Sequence, residues 1–150
     1  MLLQFLISPE DAEQIGQDAL NSIAAVYEQI LPREAQVDIA LISLPEMQAI
    51  NKAERSLDEP TDVLSFPVYT SKEDMALAPA GPPILLGSIV ISPEKAVMYE
   101  ETLPQLVHHG LVHLMGYDHE TDMPSWQAME RPILAQLAHH NLFIPEVPEL

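Results

Sequence analysis

The chain has no cysteine. Disulfides and thiolate metal sites are thereby excluded, and any bound metal must be held by histidine or carboxylate. Bases are almost as scarce. Six lysines and arginines stand against 23 aspartates and glutamates, for a formal net charge of −17. A surface of that sign repels anionic polymers over long range, which counts against a nucleic-acid partner. No apolar run reaches membrane-spanning length, and neither a basic leader nor a lipidation motif is present. A cytoplasmic protein with no membrane partner is therefore expected. No internal repeat is visible, and 150 residues suit one domain spanning 1–150.

What the chain does have is a regular succession of elements. Leu2 to Ile7 reads as a first strand. Ser8-Pro9-Glu10-Asp11 is a helix start, with a serine cap, proline at the first position and acids in the first turn. Helical spacing of Ala12, Ile15, Ala19, Ile23, Val26 and Ile30 predicts a helix to about Leu31, closed by Pro32. Val37 to Ile42 is a second strand, and Ser43-Leu44-Pro45-Glu46 is a capping box opening a helix to about Arg55. A third strand begins at about Val63, and 70–83 reads as a mobile loop. Leu85 to Ser92 is a fourth strand, a candidate antiparallel partner of the third. A short helix follows from Ser92-Pro93-Glu94, then a largely apolar helix from Leu103 to Met115. A last helix runs from Pro124 to about His140, which Pro132 should kink or divide. The tail, 141–150, is expected to fray. Four strands and several helices in mixed order predict an α+β fold: a small mixed four-stranded sheet packed with helices.

One stretch stands out within the apolar helix. His109, His113 and His119 are spaced H-x3-H-x5-H, with Gly116 three residues after the second. Residues i and i+4 share a helix face, so His109 and His113 can reach one ion. Gly116 suits the left-handed residue that ends a helix, and the chain can then turn to bring His119 back. Three neutral imidazoles leave one tetrahedral position for water, the arrangement of a catalytic zinc site at the end of a central helix. Metzincin peptidases share the layout but carry glutamate after the first histidine as general base, where this chain has Gly110.

With the segment from Asn51 to Pro67 (Asn51, Arg55, Asp58, Pro60-Thr61-Asp62-Val63-Leu64-Ser65-Phe66-Pro67) and with Leu86-Gly87 to Ser92, this histidine stretch resembles the YbeY family of bacterial metal-dependent endoribonucleases. The likeness runs over about 35–140. It implies His109, His113 and His119 as ligands of one Zn2+ per chain, and Arg55 as a functional arginine near the metal cleft. It implies a zinc-dependent hydrolase cutting single-stranded RNA, in ribosomal RNA maturation and ribosome quality control. Three departures stand out. Ser88 replaces the aspartate of Leu-Gly-Asp, the segment from Ser92 to His109 is several residues short, and Pro132 falls within a helix.

The residues themselves leave alternatives. Arg55, with Lys52 one helical turn earlier, could hold a phosphate or simply pair with Glu54, Asp58 or Glu59. Asp62 could orient a ligand histidine, act as general base or cap a turn, with Asp118 a rival. Tyr117 could donate to an oxyanion or only pack. His108, His139 and His140 read as surface or core histidines. The catalytic candidates are therefore Arg55 and Asp62. So few bases near the site predict weak intrinsic RNA affinity and help from the small ribosomal subunit or a basic ribosomal protein. The alternatives are a non-catalytic zinc-stabilised adaptor in ribosome assembly, favoured by the charge, and a metallopeptidase.

Overall fold

The computed structural model describes residues 2–147. Its four strands, β1 (Leu3–Leu6), β2 (Ala35–Leu41), β3 (Val63–Pro67) and β4 (Ile84–Ile91), form one sheet in the order β1-β2-β4-β3. β1, β2 and β4 run parallel, whereas β3 pairs antiparallel with β4, Ser65 opposite Ile89 and Pro67 opposite Gly87. The mixed α+β architecture is as expected, and β3 forms one edge. In β2 the alternation is clean, with Ala35, Val37 and Ile39 buried and Gln36, Asp38 and Ala40 partly exposed.

Seven helices are described: α1 (Pro9–Ile15), α2 (Gln17–Tyr27), α3 (Leu44–Arg55), α4 (Lys72–Leu77), α5 (Pro93–Met98), α6 (Leu103–Leu114) and α7 (Met123–His139). Serine, threonine or aspartate caps six of them through its side chain, with full capping boxes at Ser43/Glu46 and Thr102/Gln105. Such caps satisfy N–H groups that a helix start leaves without partners, each worth about 1 kcal/mol. α6 lies across β3 and β4, and α2 and α7 pack beside it. Ile89, Ile91, Leu111 and Leu137 are fully buried in the resulting core, each contributing roughly 1.5–3 kcal/mol by leaving water. Met47 and Leu64 are buried too, but outside that cluster.

Four details differ from the expectations. The first helix is two, because Gly16 takes φ of +110° between α1 and α2, and α2 ends at Tyr27. The segment 70–83, read as loop, contains α4, which is capped by Ser71 and buries Met75 completely. Proline and alanine around it hid a short helix anchored by one methionine. Pro132 lies inside α7 without dividing it. Both Pro132 and Ala128 are exposed, so the carbonyl deprived of its i+4 donor faces water. The tail expected to fray is packed as far as 147. Ile144 is buried, and the Val147 N–H donates to Glu130 Oε1 at 3.3 Å. The rest of that expectation, 148–150, lies outside the described residues.

Candidate metal centre

The centre is built on α6. Leu106, Val107, Leu111, Val112 and Leu114 are buried against the core, which leaves His109 and His113 on the remaining stripe, half-exposed. Their Nε2 atoms stand 3.2 Å apart. Gly116, with φ of +99°, turns the chain sharply, and a Cβ there would lie 2.5 Å from the Thr70 carbonyl oxygen. His119 then returns to the pair, its ring centroid 5.0 Å from that of His109 and 5.7 Å from that of His113. Asp118 tightens the turn by accepting the Glu120 N–H at 2.8 Å.

One ligand atom from each histidine lies within 4.8 Å of the others, so the three can hold one metal ion. The donor set fits: three imidazole nitrogens converge with no lysine or arginine among them. Burial, followed by the charges of His113 and His119, lowers the His109 pKa to about 4, against a partial opposing pull from Asp62. Burial lowers His113 as well, with Asp118 opposing. Both rings are thus neutral at physiological pH, the state a ligand requires.

Beneath them lies Trp126 of α7, fully buried, with ring centroids at 5.0, 4.9 and 5.0 Å from His109, His113 and His119. The indole is a common floor for the three imidazoles. The sequence marks Trp126 only as one inward residue of an amphipathic helix, and nothing in its spacing announces this contact. Gly110 also gains a meaning. A Cβ there would lie 2.7–2.9 Å from three side-chain atoms of Ile89, so position 110 faces β4 and a glutamate would not fit without displacing the buried Ile89 side chain.

The histidines open into a cleft of about 300 Å³, lined also by Arg55, Asp62, Ser65 and Asp118. A second depression of about 380 Å³ shares Arg55, Ser65, His113 and Asp118 and continues past Tyr69 and Tyr117, extending the cleft into a groove. A roomier hollow of about 630 Å³ between β1, α1 and α2 has no titratable side chain and no chemistry to offer. Arg55 is exposed at the end of α3 and makes no ion pair among the described residues; it is Lys52 that meets Asp58, at 3.8 Å. Asp62 caps β3, its Oδ1 accepting from Val63 N at 2.8 Å and Thr61 Oγ1 at 3.1 Å. Ser88 sits in mid-β4 between Asp38 and Phe66.

Of two further groups, Glu101 escaped sequence reasoning, whereas His108 reads from the sequence as a surface or core histidine. Glu101, half-buried beside Asp62, has its pKa raised to about 8 by burial, then by the hydrogen bond and charge of Asp62. His108 is a core histidine, fully buried between the Tyr27 hydroxyl at 2.9 Å and Glu130 at 3.2 Å.

Comparison with known proteins agrees with this architecture. Endoribonuclease YbeY of Novosphingobium aromaticivorans is 36% identical over 129 residues, covering 80% of this chain and 77% of that one. Its namesake from Oceanobacillus iheyensis is 33% identical over 143 residues, covering 85% and 93%. The solution structure of TM1509 from Thermotoga maritima shares the fold, with a TM-score of 0.51 at 22% identity over 92% of this chain and 85% of that one. The family model for Endoribonuclease YbeY matches residues 4–138, nearly the whole described chain. The chain belongs to the YbeY endoribonuclease family.

Proposed function

We propose that this chain, acting as a single domain in the cytoplasm, is a zinc-dependent endoribonuclease that cuts single-stranded RNA in ribosomal RNA maturation and ribosome quality control. The observation that carries this reading is the meeting of three imidazole ligands with an arginine that has no ion-pair partner among the described residues, in one open cleft. His109, His113 and His119 would hold one Zn2+. That ion would supply a Lewis acid and a bound water of pKa near ~7. Arg55 would bind a non-bridging phosphate oxygen through its planar fork and stabilise the charge that grows there. Asp62, in the cleft wall beside His109, would take the proton of the attacking water while the P–O ester bond breaks. The groove past Tyr69 and Tyr117 suits a single strand, whose unstacked bases can lie on aromatic rings.

The net charge of −17 bears on how RNA arrives. With one or two basic contacts, each worth ~0.7 in the logarithmic salt slope for a single strand, intrinsic affinity is weak and weakly salt-dependent. The small ribosomal subunit, or a basic ribosomal protein, would hold the substrate against the acidic surface. The same charge favours the second reading, a zinc-stabilised adaptor without catalysis. A peptidase ranks below both, since the position of its base, Gly110, faces β4.

The test is cleavage of end-labelled single-stranded RNA by wild type and His113→Ala, with zinc content measured on both. Zinc-dependent cutting lost in the variant supports the enzyme. Zinc-loaded wild type that binds small subunits yet cuts nothing supports the adaptor.

A further inference from the structure

The connection from α5 to α6 is only four residues, 99–102, and it is held firmly. Glu100 takes φ of +57°, its N–H donating to Val97 O at 3.1 Å, and the Glu101 N–H donates to Ala96 O at 2.8 Å. Thr102 follows at once as the cap of α6. Asp62 is fixed to the other end of the same short helix. Its carbonyl accepts the N–H of Ser92, the cap of α5, at 2.8 Å. Its Oδ1 is occupied by Val63 N and Thr61 Oγ1, which leaves Oδ2 for the cleft and for Glu101. α5 thus sets the spacing of two carboxyl groups from either end.

The chemistry of the pair is constrained. Glu101 Oε1 is buried with no hydrogen-bond partner, and the side chain meets Asp62, another acceptor. Two carboxylates can bond only through a proton held by one of them. Burial, then the hydrogen bond and charge of Asp62, raise Glu101 to about 8, so Glu101 keeps that proton at neutral pH. Asp62, from the approach to β3, is the charged group that acts on Glu101; Asp62 in turn acts on His109 of α6.

We propose that Glu101 is a positioning residue for the reaction, its carboxyl O–H donating to Asp62 and holding that carboxylate toward the three-histidine cleft. This rests on the reading of Asp62 as proton acceptor. In the step itself the water oxygen bonds to phosphorus, its proton passes to Asp62, and the P–O bond to the leaving ribose oxygen breaks. The leaving oxygen takes its proton from solvent. Glu101 keeps its own proton throughout. An ionised Glu101 would instead push Asp62 away as a like charge.

Three measurements on the full-length, zinc-loaded protein test this. Carboxyl carbon NMR should find Glu101 titrating well above the ordinary glutamate range in the wild type and at distinctly lower pH in Asp62→Asn; an ordinary glutamate titration in the wild type overturns the proposal. Glu101→Ala should cut single-stranded RNA about 10- to 100-fold more slowly with zinc content unchanged, the scale for losing a residue that orients a reactive group. A wild-type rate in that variant overturns it. Glu101→Gln, whose amide still donates, should recover activity at pH 7 and hold its rate in alkali, where the wild type is expected to slow as Glu101 ionises. A Gln variant as slow as the Ala variant overturns the donor role. Failure of the underlying reading looks different: Asp62→Asn would then cut as fast as wild type while Glu101 of the wild type still titrated well above the ordinary glutamate range.

Discussion

His108 and His109 are neighbours in the chain and opposites in the molecule. His108 lies in the core with a partner at each ring nitrogen, the Tyr27 hydroxyl and the Glu130 carboxylate. Glu130 also accepts from Val147 N, so this buried triad is closed on every side. His109 is rotated about 100° around α6 and faces the cleft. Its Nε2 meets the Nε2 of His113 at 3.2 Å, a group of its own kind. Satisfied polar groups in a core specify packing, whereas imidazoles whose lone pairs converge on one another stay incomplete until something cationic joins them. The two histidines differ in partners and not in type, and that difference separates structure from chemistry here.

Exchanging the two substitutions should give the largest contrast. His109→Ala should lose bound zinc and keep its fold. His108→Ala should leave Glu130 as an unpaired buried charge and cost about 3–5 kcal/mol of stability, yet still bind zinc while folded. Metal analysis and denaturant unfolding on both variants would erase the contrast if His108→Ala lost zinc without losing stability. Next in size is Arg55→Glu, expected to slow RNA cleavage by about 10²-fold with zinc retained. A wild-type rate would reduce Arg55 to a surface residue.

Two acids, Glu130 in the core and the half-buried Glu101, sharpen the comparison through pH. Burial pushes Glu130 up, but the hydrogen bond and charge of His108 outweigh it, and the net pKa is lowered from 4.5. A depressed folded pKa contributes stability above the unfolded value, lost as pH falls through the folded one. Glu130→Gln should therefore be less stable than wild type at pH 7, by a margin that shrinks in acid. Glu101 is raised to about 8, the opposite sign. It costs the wild type stability as pH climbs from 4.5 toward 8, so Glu101→Gln should gain in melting temperature over that range and level off above it. Melting curves from pH 4 to 9 in which both variants moved the same way would contradict this assignment. The smallest effect is at Tyr27. Tyr27→Phe leaves His108 Nδ1 without its partner and should cost about 1–2 kcal/mol, with zinc binding unchanged by titration.

Local signals in the sequence announced what they control. Ser43 with Glu46, Ser92 before Pro93, and Gly116 after His113 all act within four residues, and the structure uses each as a cap or a turn. The antiparallel pairing of β3 with β4 was also legible, from two apolar runs flanking a polar stretch. Contacts made at long range carry no such mark. Trp126 reaches the three histidines from α7, Glu101 meets Asp62 from 39 residues further along the chain, and Tyr27 finds His108 81 residues away. The short helix at Lys72–Leu77 stayed hidden because one buried methionine sets no period. Gly110 read as a missing base, and its contact with Ile89 adds a packing reason for the glycine.

The central claim is that one metal ion on His109, His113 and His119 enables this cleft to cut RNA. The direct measurement strips the protein with a chelator and adds zinc back in steps, following cleavage of a labelled single-stranded RNA. The expected result is no cutting by the stripped protein, and a rate that rises with zinc and saturates at one equivalent per chain. Stripped protein that cuts as fast as the reloaded one, or protein with one tightly bound equivalent that cuts nothing even with small ribosomal subunits present, would contradict it.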